Sequence, residues 1–245
     1  MFDDRRHHVS LAFWLEPPVR WPALLLFDTR HNTKIRNMPP YNYPAKSLDI
    51  QTRLMGLGLT PSHLMLIGSF VVAYGMFETT LERALWTLSE TSIEGTRPFT
   101  EKMKAEDQFK MLGEGNPKLS DRCNAILKVA ARAAEDLNEY RNSLVHGYIM
   151  SFGPEHVPWF MKNPRWNGAS GRKKAVGDAY IDEPFQDLML IAAWSLWLLV
   201  HRLESVFEDT AAQLHIEEMK DDIDRARSYA REVRHHASIA NQEKN

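Results

Sequence analysis

Between Pro61 and Glu90 apolar residues return every three or four positions, at Leu64, Ile67, Val71, Tyr74, Leu81, Leu85 and Leu88. That spacing predicts one long amphipathic helix. Pro61 suits its first turn and Thr60 its N-cap. One seam position, 78, is Glu78, a carboxylate that is costly there unless something pairs with it. A second stripe runs from Lys118 to His146 through Cys123, Ile126, Leu127, Ala130, Ala134, Leu137, Leu144 and Val145. Here Arg141 takes a seam position, and Gly147 is a natural stop. A shorter helix is expected over Thr100–Leu112. A third long one is expected over Glu183–Gln213, apolar on nearly every side from Leu188 to Val200 and so buried against more than one neighbour. One face would serve its own bundle and the other, with Trp194 and Trp197, a second subunit.

The remainder breaks periodicity. Residues 1–60 carry six prolines and read as an irregular extension, with 39–44 as an extended linker. Residues 148–182 hold four glycines and three prolines and read as a long loop or small hairpin before the last core helix. Residues 214–245 are charged and helix-prone, a solvated tail. The fold expected is therefore all-α, a bundle of four or five helices over 61–213.

Composition changes this picture little. The 245 residues are 44% hydrophobic and 25% charged, which excludes a mainly disordered chain. The net charge of −2 does not advertise nucleic-acid binding, so any basic surface is local. Such a surface is offered by Lys162, Arg165, Arg172, Lys173 and Lys174, with Trp159 and Trp166 interleaved to stack bases. The alternative for both tryptophans is that they fold onto the bundle. A single cysteine, Cys123, forbids an intrachain disulfide and suits a reducing interior. The longest apolar run, Leu188–Val200, falls short of the roughly 20 residues a span needs, so a cytoplasmic protein without membrane contact is expected.

The chemically informative stretch is Glu139–Tyr148, EYRNSLVHGY. Imidazole moves protons near neutrality. Guanidinium forks onto phosphate oxygens and offsets charge that builds in a transition state. Arg141 and His146 would divide those roles on a phosphodiester. Asn142 would orient them, and Tyr148 would add a contact. The competing explanation is structural: Glu78 and Arg141 both interrupt apolar seams and would pair across the bundle. Such a pair would also position the arginine.

The segment RNSLVHG resembles the R-N-x-x-x-H motif of the HEPN superfamily, and Gly75–Leu85 (GMFETTLERAL) is similar to that family's first core helix, with Glu78 at its acidic position. The resemblance covers about residues 60–213. It implies a helical bundle that dimerises and, in many members, a metal-independent endoribonuclease with the Arg–His motifs of two subunits lining one cleft. Arg141, Asn142 and His146 would be catalytic and Glu78 supporting. No metal or other cofactor is implied, because the 2′-hydroxyl of RNA is the nucleophile. The implied partners are RNA, a second copy and, in toxin or phage-defence members, an antitoxin protein. Other members are non-catalytic modules for dimerisation or for binding RNA or nucleotide.

Overall fold

A computed structural model describes residues 42–92, 99–152, 155–162 and 179–242. From Pro44 the chain forms one compact unit. It is mainly helical, with a small sheet at one end. The helices are α1 (Tyr43–Met55), α2 (Pro61–Leu88), α3 (Ala105–Glu114), α4 (Asp121–His146), α5 (Glu183–Leu203), α6 (Ala212–Glu218) and α7 (Lys220–Gln242).

The core is built by α2, α3, α4, α5 and α7, with α6 adding Ile216. Helices α2 and α5 lie side by side and run parallel. Thr60 Oγ1 donates to Glu183 Oε1 at their starts, and Arg83 meets Glu204 at their ends, 3.2 Å apart. Helix α4 runs antiparallel to α2, with Tyr140 edge-on to Phe70 at 5.5 Å. Helix α3 adds Phe109, which stacks on Phe77. By length and composition α2 and α5 are each apolar enough to cross a membrane, a test that bundle-core helices also pass.

Thr60 caps α2 as its sequence indicates. Its hydroxyl accepts from the His63 backbone N–H, and the His63 ring accepts from the Thr60 N–H. The buried face differs from the expected stripe in its first half. Leu66, Phe70, Ala73 and Phe77 point inward, and Val71 is exposed. Nearly every residue from Leu64 to Phe77 is apolar, so periodicity alone cannot choose the face. The aromatic rings choose it, by filling the space against Tyr140 and Phe109.

Three boundaries are corrected. The expected solvated tail is instead α7, packed along α4 and α5 with Ile223, Ala226, Ala230 and Val233 buried. Its inward seam is mostly alanine, which carries little hydrophobic signal among charged neighbours. The last expected helix stops at Leu203 rather than Gln213, and α6 begins after a turn in which Asp209 accepts from the Ala211 N–H. Within the expected irregular extension, α1 forms as soon as Pro44 can occupy a first turn. Residues 1–41 lie outside the described residues.

The loop before α5 holds three antiparallel strands in the order β1 (Gly147–Phe152), β2 (Val157–Lys162), β3 (Ala179–Tyr180). Met150 faces Trp159, and Trp159 faces Tyr180. Gly58, just after α1, has φ +90° and leaves no room for a side chain: a Cβ there would lie 2.2 Å from the His156 carbonyl oxygen. Ser151 Oγ donates to the Leu57 carbonyl beside it.

Candidate functional site

Arg141 sits on the inward seam of α4, one turn after Leu137, and its side chain crosses to α2. One terminal nitrogen donates to Glu78 Oε2 at 3.0 Å and the other to Asn142 Oδ1 at 3.1 Å. Glu78 and Arg141 are each about a quarter exposed, so the pair lies at the rim of the bundle rather than inside it. A guanidinium has five N–H groups. The two contacts fix its plane and leave donors for an anion approaching from solvent.

Burial pushes the Glu78 carboxyl above its ordinary value, and the charge and hydrogen bond of Arg141 pull against that shift. One turn earlier, Tyr74 is fully buried. Its phenol is held well above the usual range by burial first, then by the Glu78 charge, with Arg141 opposing. Its hydroxyl has no hydrogen-bond partner among the described residues. The sequence shows Tyr74 only as a seam residue. Its i, i+4 relation to Glu78 was the available sign that a polar atom belongs to this cluster.

His146 is the last residue of α4 and is exposed. The Gly147 N–H closes the helix on the Ser143 carbonyl. Five residues of helix separate His146 from Arg141 by about 140°, so within one protomer they face different directions. Tyr148, two residues on in β1, is 42% exposed. The structure therefore gathers Glu78, Arg141 and Asn142 into one hydrogen-bonded unit, while His146 and Tyr148 stand exposed where α4 passes into β1 and are not brought into it.

The basic, aromatic segment fares differently. Trp159 is largely buried, its ring 4.9 Å from that of Tyr180, so it packs on the sheet instead of standing open to stack a base. The reason is the strand register, which sets it opposite Tyr180. Lys162 closes β2. Its side chain, with Arg165, Trp166, Arg172, Lys173 and Lys174, lies outside the described residues. Among the described residues no three His, Cys, Asp or Glu side chains gather to hold a metal ion.

The outward faces of α2 and α5 are unusually apolar. Met65, Val72, Ile191 and Trp194 are 64, 62, 51 and 45% exposed. Gly68 and Gly75 have open space where a Cβ would stand. Trp194 leans on the half-buried Trp197, which stacks on His201.

No family model matches the chain, and no curated protein and no solved structure matches it significantly.

Proposed function

We propose that the chain is a HEPN-type, metal-independent endoribonuclease that works in the cytoplasm as a homodimer. The observation that carries the reading is the unit built on α4: a guanidinium fixed by Glu78 and Asn142 at the bundle rim, with an exposed imidazole ending the same helix. The 2′-oxygen of RNA attacks the adjacent phosphorus while the bond to the 5′-oxygen breaks. His146 of one protomer takes the 2′-hydroxyl proton, and the second copy's His146 returns a proton to the leaving oxygen. Arg141 offsets the charge on the non-bridging oxygens. The products are a 2′,3′-cyclic phosphate and a 5′-hydroxyl. Two copies facing each other also relieve the 140° divergence, because each cleft draws on both chains.

The exposed apolar side chains Met65, Val72, Ile191 and Trp194 support the homodimer, since the cores of homodimer interfaces are rich in such residues. The test is cleavage of single-stranded RNA in the presence of a chelator, with analysis of product ends. His146→Ala is expected to lower the rate at least ~100-fold, the range of a general acid–base. Arg141→Lys is expected to lower it by a similar factor, because an ammonium cannot fork. Wild-type protein that leaves RNA intact would sink the reading. Growth arrest on expression, relieved by His146→Ala, tests a toxin or phage-defence role and provides the assay for an antitoxin protein.

One observation favours a second reading, a non-catalytic HEPN-like module for dimerisation or for binding RNA or nucleotide. The Glu78–Arg141 pair has a purely structural explanation, as two charges that interrupt apolar seams and satisfy each other. RNA binding without cleavage would select it.

A further inference from the structure

Helix α4 carries polar side chains that the chemistry above does not use. Glu135, Asn138, Asn142 and His146 recur at steps of three and four and so share one face of the helix. Glu135 and Asn138 line a groove of about 300 Å³, together with Glu106, Asp107 and Lys110 of α3 and Arg234 of α7. That volume is at the small end of the range for small-ligand sites. Asn142 stands one helical turn, about 5.4 Å, beyond Asn138. The groove therefore lies one turn along α4 from the place where a phosphate would meet Arg141 and Asn142.

Asn138 is the unusual member. It is 7% exposed and lines the groove, and its amide makes no hydrogen bond among the described residues. Buried polar groups normally have a partner, so this one points to a ligand in the groove. The charges around the amide are mixed. Glu106, Asp107 and Glu135 accept hydrogen bonds, Lys110 donates them, and Arg234 is already held by Asp136. A metal ion does not suit this set, because among the described residues no three acidic, His or Cys side chains gather to hold one. Phosphate does not suit it either, because carboxylates outnumber cations. A neutral ring with donors on one edge and acceptors on the next suits it.

We propose that the groove is a guanine site. It holds the base of the nucleotide whose 2′-oxygen attacks, and it directs cleavage to the bond that follows guanosine. Of the four RNA bases, guanine alone sets two adjacent donors, N1–H and the N2 amino group, beside two acceptors, O6 and N7. The Glu135 carboxylate accepts from the two donors, the Asn138 amide donates to O6, and the exposed Lys110 donates to N7. Adenine would turn its N1 lone pair toward the carboxylate, and cytosine and uracil lack the paired donors. The carboxylates also repel phosphate from the groove toward Arg141, which fixes which end of the nucleotide enters. The inference rests on reading α4 as an RNA site and adds the base that the site takes.

The first measurement is calorimetric titration of the full chain with 3′-GMP, 3′-AMP, 3′-CMP and 3′-UMP. Binding of 3′-GMP is expected to be roughly 10- to 100-fold tighter than that of the others, the discrimination that a bidentate base contact gives. Glu135→Gln and Asn138→Ala are each expected to remove this preference. Glu135 is exposed, so Glu135→Gln is expected to keep the wild-type thermal midpoint even if Asn138→Ala does not. The second measurement maps the ends of products from a mixed-sequence RNA, which are expected to be guanosine 2′,3′-cyclic phosphates. Equal binding of the four nucleotides, or no binding at millimolar concentration, overturns the inference. So does a preference for 3′-GMP that survives Glu135→Gln. Cleavage that depends on His146 but follows every base alike removes the guanine site and leaves the nuclease reading standing. Selective binding of 3′-GMP without cleavage keeps the site and selects the non-catalytic module.

Discussion

Asp136 is the most consequential charge in the bundle. Its side chain is 5% exposed and accepts from two arginines of α7, Arg227 and Arg234, which are 30% and 60% exposed. Burial also disfavours the Arg227 charge, and its like-charged neighbours Arg231 and Arg132 add to that. Asp136→Asn keeps the shape but removes the charge and turns an amide NH₂ toward a guanidinium. Breaking a buried ion pair typically costs 3–5 kcal/mol. Here both arginines can turn partly to water, so about 2 kcal/mol is expected, near the value of a hydrogen bond to a charged group. In a chain of this size that lowers the thermal midpoint by roughly 4–8 °C. The exposures also fix an order: Asp136→Asn costs most, Arg227→Ala less, and Arg234→Ala about 1 kcal/mol or below. Urea denaturation followed by circular dichroism measures each, and hydrogen exchange is expected to rise first in α7. A loss below about 0.5 kcal/mol for Asp136→Asn, or Arg234→Ala as the costliest of the three, would refute the reasoning.

Three further outcomes are expected. Tyr74→Phe removes a buried hydroxyl that has no partner among the described residues, so stability is expected to hold or rise by up to about 1 kcal/mol; a clear fall in the urea midpoint would mean that the hydroxyl is bonded. Glu78 has its carboxyl raised by burial, so its contribution to stability is fullest at low pH and is lost as pH rises through the ordinary carboxylate value of about 4.3 and beyond. The stability difference between wild type and Glu78→Gln is therefore expected to shrink in wild type's disfavour with rising pH, and an opposite slope would show that Arg141 outweighs burial. Gly58→Ala forces a side chain against the His156 carbonyl at a positive φ, and is expected to cost about 1–3 kcal/mol by thermal unfolding.

Some of this was open to a reader of the sequence. Glu78 and Arg141 each break an apolar seam, and two such interruptions in one bundle point to each other; they meet at 3.0 Å. Thr60 and Pro61 announce the start of α2 because capping is local chemistry. What failed was decided by distant parts of the chain. The inward face of α2 depends on where Tyr140 and Phe109 end up. The burial of α7 depends on alanines whose small side chains allow close packing but barely register as hydrophobic. The orphan hydroxyl of Tyr74 is invisible in a one-dimensional pattern, since tyrosine fits an apolar stripe equally well whether or not its oxygen is bonded.

The parallel pairing of α2 with α5 has a consequence for synthesis. About a hundred residues separate the end of α2 from the end of the helix that covers it. At ribosomal speed the nascent chain holds a long, oily helix without its mate for on the order of ten seconds. During that interval the growing polypeptide is most prone to clump, and a chaperone would find its clearest target in the stretch from Leu64 to Trp86.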